Sequence, residues 1–168
     1  KEVISWSLYD FANQPFTTII VTFIYGVFFT TVIAPDEKTG TLLWTQAISV
    51  TAVIVAFLSP LLGAVADKGG YRKFFLIFFT WVCVVFSVLL YFPNAGDVYF
   101  ALILFIIANI SFEMGSVFCN SYLKDLSNKS NIGKMSGFAW GLGFVGGLIA
   151  MFLSLIFVVQ PENPIFNL

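Results

Sequence analysis

The chain has 168 residues, of which 59% are hydrophobic and 10% are charged, and its formal net charge is −1. This charge-poor composition gives no indication of a nucleic-acid partner. Five apolar runs are each long enough to cross a bilayer core of about 30 Å. A buried soluble core does not account for so many long runs in so short a chain. The composition therefore predicts an all-α transmembrane protein, since hydrocarbon offers no partner for unpaired backbone groups.

The sequence predicts a helical bundle of five spans joined by short links. Short links make consecutive spans antiparallel neighbours. No soluble domain fits between the spans, so residues 1–168 form a single transmembrane domain. We expect this domain to be part of a longer protein. The predicted spans are residues 11–34, 42–66, 74–92, 98–122 and 137–159.

Positive charges fall almost entirely on one side of this arrangement. Short cytoplasmic links carry an excess of lysine and arginine, and this bias sets the orientation of a membrane protein. We therefore expect the amino end to be cytoplasmic, in the inner membrane of a bacterium. Aromatic residues near the span ends, Trp44 on the outer side among them, fit this orientation, and the general abundance of aromatic residues in the chain explains their placement equally well. The inner side then holds Lys1, Lys68, Arg72, Lys73, Lys124, Lys129 and Lys134, and the outer side holds Lys38.

Span one carries a polar group in its first turns. Asp10 and Gln14 share a helix face, and Asn13 lies beside them. Pro15 interrupts backbone hydrogen bonding there and can expose carbonyl groups to a ligand. These residues are candidates for a substrate or ion pathway. The alternative is that Asp10, close to the inner interface, is a solvated cap at the start of the helix.

The link between spans two and three combines glycine with charge. Gly63 permits a close helix approach at the end of span two, and Asp67 can cap that helix or pair with a cation. Gly70 permits a tight reversal. On charge alone, Lys68 and Arg72 are equally typical of an ordinary basic turn.

Span four carries the clearest candidate for a site. Asn109, Glu113, Ser116 and Asn120 fall within about 60° of one another on a helix. Ionising Glu113 in lipid costs on the order of 2–3 kcal/mol or more, so intramembrane carboxyls usually mark functional sites. This face is typical of a cavity lining. The alternative is a protonated glutamate that hydrogen-bonds inside the protein.

Span five is rich in glycine, which predicts close helix packing. The pairs Gly137 with Gly141 and Gly143 with Gly147 are each four residues apart. The chain lacks histidine, and its two cysteines, Cys83 and Cys119, fall in different spans. We therefore expect no metal site, no cofactor and no catalytic residues, and interpret both cysteines as small apolar packing residues.

The segment Gly63 to Lys73 resembles the signature that joins spans two and three in the major facilitator superfamily. The matching positions are Gly63, Asp67, Lys68, Gly70 and Arg72, whereas Tyr71 stands where a basic residue is usual. The resemblance implies a transporter of two six-helix halves, with Asp67 in an inner gate between them. The arginine that this superfamily often carries in span four is absent here.

A closer resemblance covers the whole chain. The stretches Ser5–Phe16, Asn120–Ser127 and Gly133–Phe138 are similar to the Unknown Major Facilitator branch, which includes fungal vacuolar amino-acid effluxers of autophagy. The resemblance implies that this chain is most of an amino-terminal half. Its partners would be a small-molecule substrate, the lipid bilayer and the second half of the same chain.

The residues and the resemblance together predict a secondary active transporter for a small polar solute, with an amino acid as one candidate. Such proteins work by alternating access around a site near the midplane. The alternative is a membrane scaffold or a subunit of a channel complex, which would explain the spans but not the motif around Asp67. An enzyme is disfavoured, because no nucleophile has a base beside it in the sequence.

Overall fold

The computed structural model describes residues 2–128 and 130–159, and most of these residues are helical. No β-strand occurs in these two ranges. Within these two ranges, five helices are long and apolar enough to cross a membrane, which confirms the predicted all-α membrane fold. Lys1 and Lys129, two of the positive charges counted above, lie outside the described residues. The helices are span 1 (Glu2–Ile33), span 2 (Glu37–Gly69), span 3 (Arg72–Leu89), span 4 (Val98–Ser121) and span 5 (Ile132–Ser154).

The helix ends differ from the ends of the apolar runs. Spans 1 and 2 begin earlier, at Glu2 and Glu37, because a helix continues beyond the hydrocarbon whereas hydropathy marks only the part inside it. Span 3 ends earlier, at Leu89. The N–H groups of Tyr91 and Phe92 donate to carbonyls three residues back, at 3.2 and 3.1 Å. This tighter turn closes the helix before Pro93.

Span 1 is not a uniform α-helix. It is α-helical over Glu2–Pro15, π-helical over Phe16–Phe23 and again over Phe29–Ile33, with a bend at Ile24 between the two π-helical segments. Pro15 has no N–H to donate to the carbonyl four residues earlier, so the α-helical pattern is interrupted there. Wider π-helical turns of this kind are rare and occur frequently at functional sites.

Residue contacts divide the described part of the chain into two compact units, one formed by residues 2–25 with 123–128 and 130–159, the other by residues 26–122. In the first unit, span 5 packs along the amino-terminal part of span 1. Gly143 faces the backbone of Asp10, and Gly147 faces Gln14 and Thr18. Residue numbers rise together along both helices, so the two helices are parallel. When consecutive spans alternate in direction, two spans are parallel if an odd number of spans lies between them, and three spans lie between span 1 and span 5.

The second unit is built around span 4, which packs against spans 2 and 3. The rings of Phe75 and Phe79 in span 3 stack on Phe118 at 5.1 and 5.9 Å between centroids. Ala66 and Met114 complete this buried cluster. Span 4 is the most buried of the five spans. Spans 2 and 3 cover part of its surface, so only the remaining part is exposed.

The opposite end of the second unit is closed by two glycines. A side chain at Gly40 would lie 2.8 Å from both the Cβ of Ala34 and the Cα of Thr30, so only glycine allows span 2 to begin this close to span 1. Gly96 has a φ of 96° and donates its N–H to the carbonyl of Ile33 at 3.0 Å. These contacts join the link between spans 3 and 4 to the end of span 1.

Candidate functional site

The polar face of span 4 is partly buried and partly open. Asn109 is 5% exposed, whereas Glu113 and Asn120 are exposed and Ser116 is half-buried. The face therefore runs from a buried amide to an open carboxyl and an open amide further along the helix. A polar strip that opens progressively in this way can line an aqueous or solute-filled space.

Glu113 lies about 12 Å along the helix from Ser121, at a rise of about 1.5 Å per residue. The described residues offer its carboxyl group neither a hydrogen bond nor an ion pair. An exposed, unpaired carboxyl at this depth requires water, a solute or a further polypeptide segment beside it, because lipid disfavours its charge.

The polar group of span 1 has a different setting. Asp10, Asn13 and Gln14 are each half-buried. The backbone carbonyl oxygen of Asp10 would lie 3.3 Å from a Cβ at Gly143, and the Cγ of Gln14 would lie 3.2 Å from one at Gly147. Asp10 and Gln14 thus border the seam with span 5. They belong to the first unit, whereas the polar face of span 4 belongs to the second.

The link between spans 2 and 3 is a compact, charged turn. The Arg72 Nε donates to Asp67 Oδ1 at 2.7 Å, and the Arg72 side chain is half as exposed as that of Asp67, 32% against 61%. Gly70 has a φ of 67°, and the N–H of Tyr71 donates to the Ala66 carbonyl at 3.0 Å. This is the glycine-dependent helix ending that satisfies the last carbonyls of a helix.

The two other motif residues make no comparable contact. Lys68 is exposed and forms no ion pair with the described residues. No described atom lies within 4 Å of the position that a Cβ would take at Gly63, apart from its own helix backbone and chain neighbours. The close helix approach suggested for Gly63 therefore stays a prediction.

Close packing in span 5 involves only part of the predicted glycine set. Gly143 and Gly147 are buried against span 1, whereas Gly137 and Gly141 are exposed, with nothing within 4 Å of a Cβ built there. Gly146, which the spacing argument missed, is also buried. A Cβ at this position would collide with the carbonyl oxygen of Phe11.

Sequence reasoning also missed two buried hydroxyl groups. The Ser7 side chain is completely buried and that of Thr51 is 1% exposed, and neither hydroxyl has a hydrogen-bond partner in the part of the chain that the structure describes. Ser7 could have been found from its spacing, since it lies on the same helix face as Asp10 and Gln14. Thr51 has no comparable signal in the sequence.

A metal site is not formed by the described residues. No three of their histidine, cysteine, aspartate or glutamate side chains cluster in a way that could hold an ion. Cys83 and Cys119 are both buried, and neither forms a disulfide bond with a described residue.

The described residues form five apolar helices, with a polar face on one of them and a charged turn between two others. These features are those of a polytopic membrane protein with a candidate solute pathway. Residues 37–133 match the family described as vacuole effluxer Atg22 like. The chain belongs to that family, which confirms the resemblance found in its sequence.

Two bacterial relatives extend the similarity over nearly the whole chain. One is an uncharacterized MFS-type transporter, YxiO, of Bacillus subtilis (strain 168), which is 29% identical over 97% of this chain. The other is an uncharacterized protein of Aquifex aeolicus (strain VF5), which is 30% identical over 95% of this chain. The chain spans 39% of the length of each relative. No solved structure matches the chain.

Proposed function

We propose that this chain forms most of the amino-terminal half of a secondary transporter for a small polar solute, with an amino acid as the first candidate. Membership of the effluxer family and the name of the Bacillus relative support a transport function. The transporter would carry no cofactor and catalyse no reaction. A solute or ion gradient would supply the energy, and the two halves would alternate access to a midplane site.

The observation that carries this proposal is the open carboxyl of Glu113, the only charged side chain in span 4. A charged group inside the hydrocarbon costs about 2.5–3.5 kcal/mol on insertion scales, so a carboxyl that served only packing would be buried and hydrogen-bonded. Glu113 is instead exposed and has no partner among the described residues. It therefore suits contact with a solute, a coupling ion or a cation elsewhere in the full protein.

In this proposal the charged turn at Asp67 is an element of the inner gate. The ion pair with Arg72 links the end of span 2 to the start of span 3. The amino end of the chain would be cytoplasmic, which places the turn on the cytoplasmic side of a bacterial inner membrane. The polar residues Asn109, Ser116 and Asn120 would line the pathway with Glu113, and Asp10, Asn13 and Gln14 would contribute from span 1.

The test is transport by the full-length protein in proteoliposomes, with radiolabelled amino acids and an imposed pH or sodium gradient. We expect gradient-driven accumulation by the wild type and its loss in Glu113→Gln, which keeps the shape of the side chain and removes its charge. Glu37→Gln is the matched control, because Glu37 is an exposed carboxyl at the very start of span 2. Its accumulation should equal that of the wild type.

Two outcomes would contradict the proposal. If the wild type accumulates none of the amino acids under either gradient, the amino-acid assignment is wrong. If Glu113→Gln accumulates solute as well as Glu37→Gln does at every pH, then Glu113 takes no part in the pathway, and the polar face of span 4 is a packing feature.

A further inference from the structure

The turn between spans 2 and 3 concentrates charge at one end of the second unit. Asp67 and Lys68 lie in the last turn of span 2, and Arg72 and Lys73 begin span 3. Gly70 reverses the chain between them with its left-handed conformation. Since span 3 turns back from the end of span 2, both lysines are held at the same end of the helix pair.

The turn carries more positive than negative charge. Its single carboxylate, Asp67, pairs with Arg72 at 2.7 Å. Lys68 and Lys73 are both exposed, and neither forms an ion pair or hydrogen bond with any residue that the structure describes. Two positive charges are therefore available to a partner, while the third is already occupied.

Exposed aromatic rings stand beside these free charges. Tyr71 is 56% exposed and Phe74 is 62% exposed. Tyr71 lies two residues before Lys73, and Phe74 follows Lys73 directly. Amphipathic and aromatic side chains of this kind settle at the level of the lipid headgroups. A ligand that suits the whole surface needs an anionic part for the lysines and an apolar part for the rings.

We propose that Lys68 and Lys73 bind the phosphate of an anionic phospholipid, with Tyr71 and Phe74 beside its glycerol and upper acyl region. Span ends that carry both basic side chains and exposed rings meet lipid headgroups directly, and anionic headgroups attract such clusters by about 1 kcal/mol per charge. The Asp67–Arg72 pair limits the strength of this contact, because it withholds the third cation. The inference does not depend on transport and holds for whichever leaflet the turn faces.

The experiment is a titration of the purified full-length protein in detergent with phosphatidylglycerol, followed by native mass spectrometry to obtain the dissociation constant of the first bound lipid. We expect Lys68→Gln and Lys73→Gln each to weaken binding about fivefold, which corresponds to about 1 kcal/mol. Lys38→Gln is the matched control, because Lys38 is an exposed lysine in the first turn of span 2, at the other end of the same helix. It should bind as the wild type does.

Two further variants separate charge from structure. The double variant Lys68→Arg with Lys73→Arg should retain wild-type binding, because it preserves both charges. Asp67→Asn should strengthen binding by up to about fivefold, because it removes the negative charge that lies in the same turn as the two lysines. The proposal is overturned if the glutamine variants bind phosphatidylglycerol as tightly as the wild type, if the arginine variant binds as weakly as the glutamine variants, or if phosphatidylcholine binds equally well.

Discussion

The indole of Trp44 stacks on the phenyl ring of Phe105, with 3.9 Å between ring centroids and 28° between ring planes. The same indole lies 5.1 Å from the ring of Phe29. Both phenyl rings are completely buried. Trp44 in span 2 therefore joins span 4 and the π-helical end of span 1 at a single point, and the packing of the second unit depends on it.

Replacing Trp44 with alanine should destabilise the protein by about 1–3 kcal/mol, since each aromatic pair contributes about 0.5–1.5 kcal/mol beyond its buried area. The measurement is unfolding of the full-length protein in mixed micelles with increasing denaturing detergent. Trp81→Ala is the control, because Trp81 is 66% exposed in the same unit. If the two variants lose the same amount of stability, the stacking of Trp44 on Phe105 makes no specific contribution to the stability of the fold.

For Trp44, the sequence predicted the depth in the membrane but not the rings that its side chain contacts. Hydropathy gives the depth of a residue in the membrane, because each span must cover the hydrocarbon thickness. On that basis Trp44 was expected near the outer interface, and the five spans themselves were predicted. The angular position of a residue around its helix depends on which other helices pack there, and a uniformly apolar span contains no such information. The stack with Phe105 could not be predicted for this reason.

In span 5, too, the sequence did not predict which helix face is packed. Four-residue spacing gave two candidate pairs, one of them Gly137 with Gly141. Gly141 lies about 160° around the helix from Gly143, at about 100° per residue, so the two faces meet different surroundings. Only the partner helix decides which face is used, and span 1 uses the face of Gly143 and Gly146. For the candidate site the polar residues of span 4 could be predicted, because a carboxyl is rare enough in a span to be informative.

Gly146→Ala should disrupt the seam between spans 1 and 5. The added methyl group would meet the backbone carbonyl of Phe11, which cannot move away as a flexible side chain could. Gly141→Ala is the matched control, since nothing lies within 4 Å of a Cβ there. We expect a loss of about 1–3 kcal/mol for Gly146→Ala and no loss for the control, measured by the same unfolding assay. If the two variants are equally stable, the close contact at Gly146 is not a feature of the folded protein.

Asp36 should make the start of span 2 sensitive to acid. Its Oδ1 accepts the N–H of Thr39 at 3.0 Å, and this hydrogen bond lowers the pKa of the Asp36 carboxyl below its ordinary value of 3.8. A lowered pKa in the folded state stabilises the fold above pH 3.8, and this contribution is lost as the pH falls through the folded-state value.

The measurement is the unfolding of wild type and Asp36→Asn between neutral pH and about pH 3. Asparagine caps a helix about as well as aspartate but does not titrate. The stability difference between the two proteins should therefore shrink or reverse in acid. A difference that stays constant with pH would show that the carboxylate of Asp36 is not the stabilising form.

The proposed orientation can be tested by labelling single cysteines. In a variant without Cys83 and Cys119, a cysteine at Thr39 should react with an impermeant thiol reagent added to intact cells, and a cysteine at Ser130 should react only after the cells are opened. Thr39 lies in the first turn of span 2, and Ser130 lies in the link between spans 4 and 5. The opposite labelling pattern would reverse the topology and move Asp67 to the outer side.

Asp67→Asn should slow transport more than it weakens solute binding. Asp67 lies at the end of span 2 and is paired with Arg72 in an exposed turn, so it can shift the balance between conformations without touching the solute. An exposed ion pair contributes at most about 1 kcal/mol to stability, and the variant should therefore fold. The measurement is solute affinity beside turnover in one preparation of the full-length protein. The charge exchange Asp67→Arg with Arg72→Asp restores an ion pair, and it should recover turnover if pairing is what matters. A large loss of affinity with unchanged turnover would contradict the gate role.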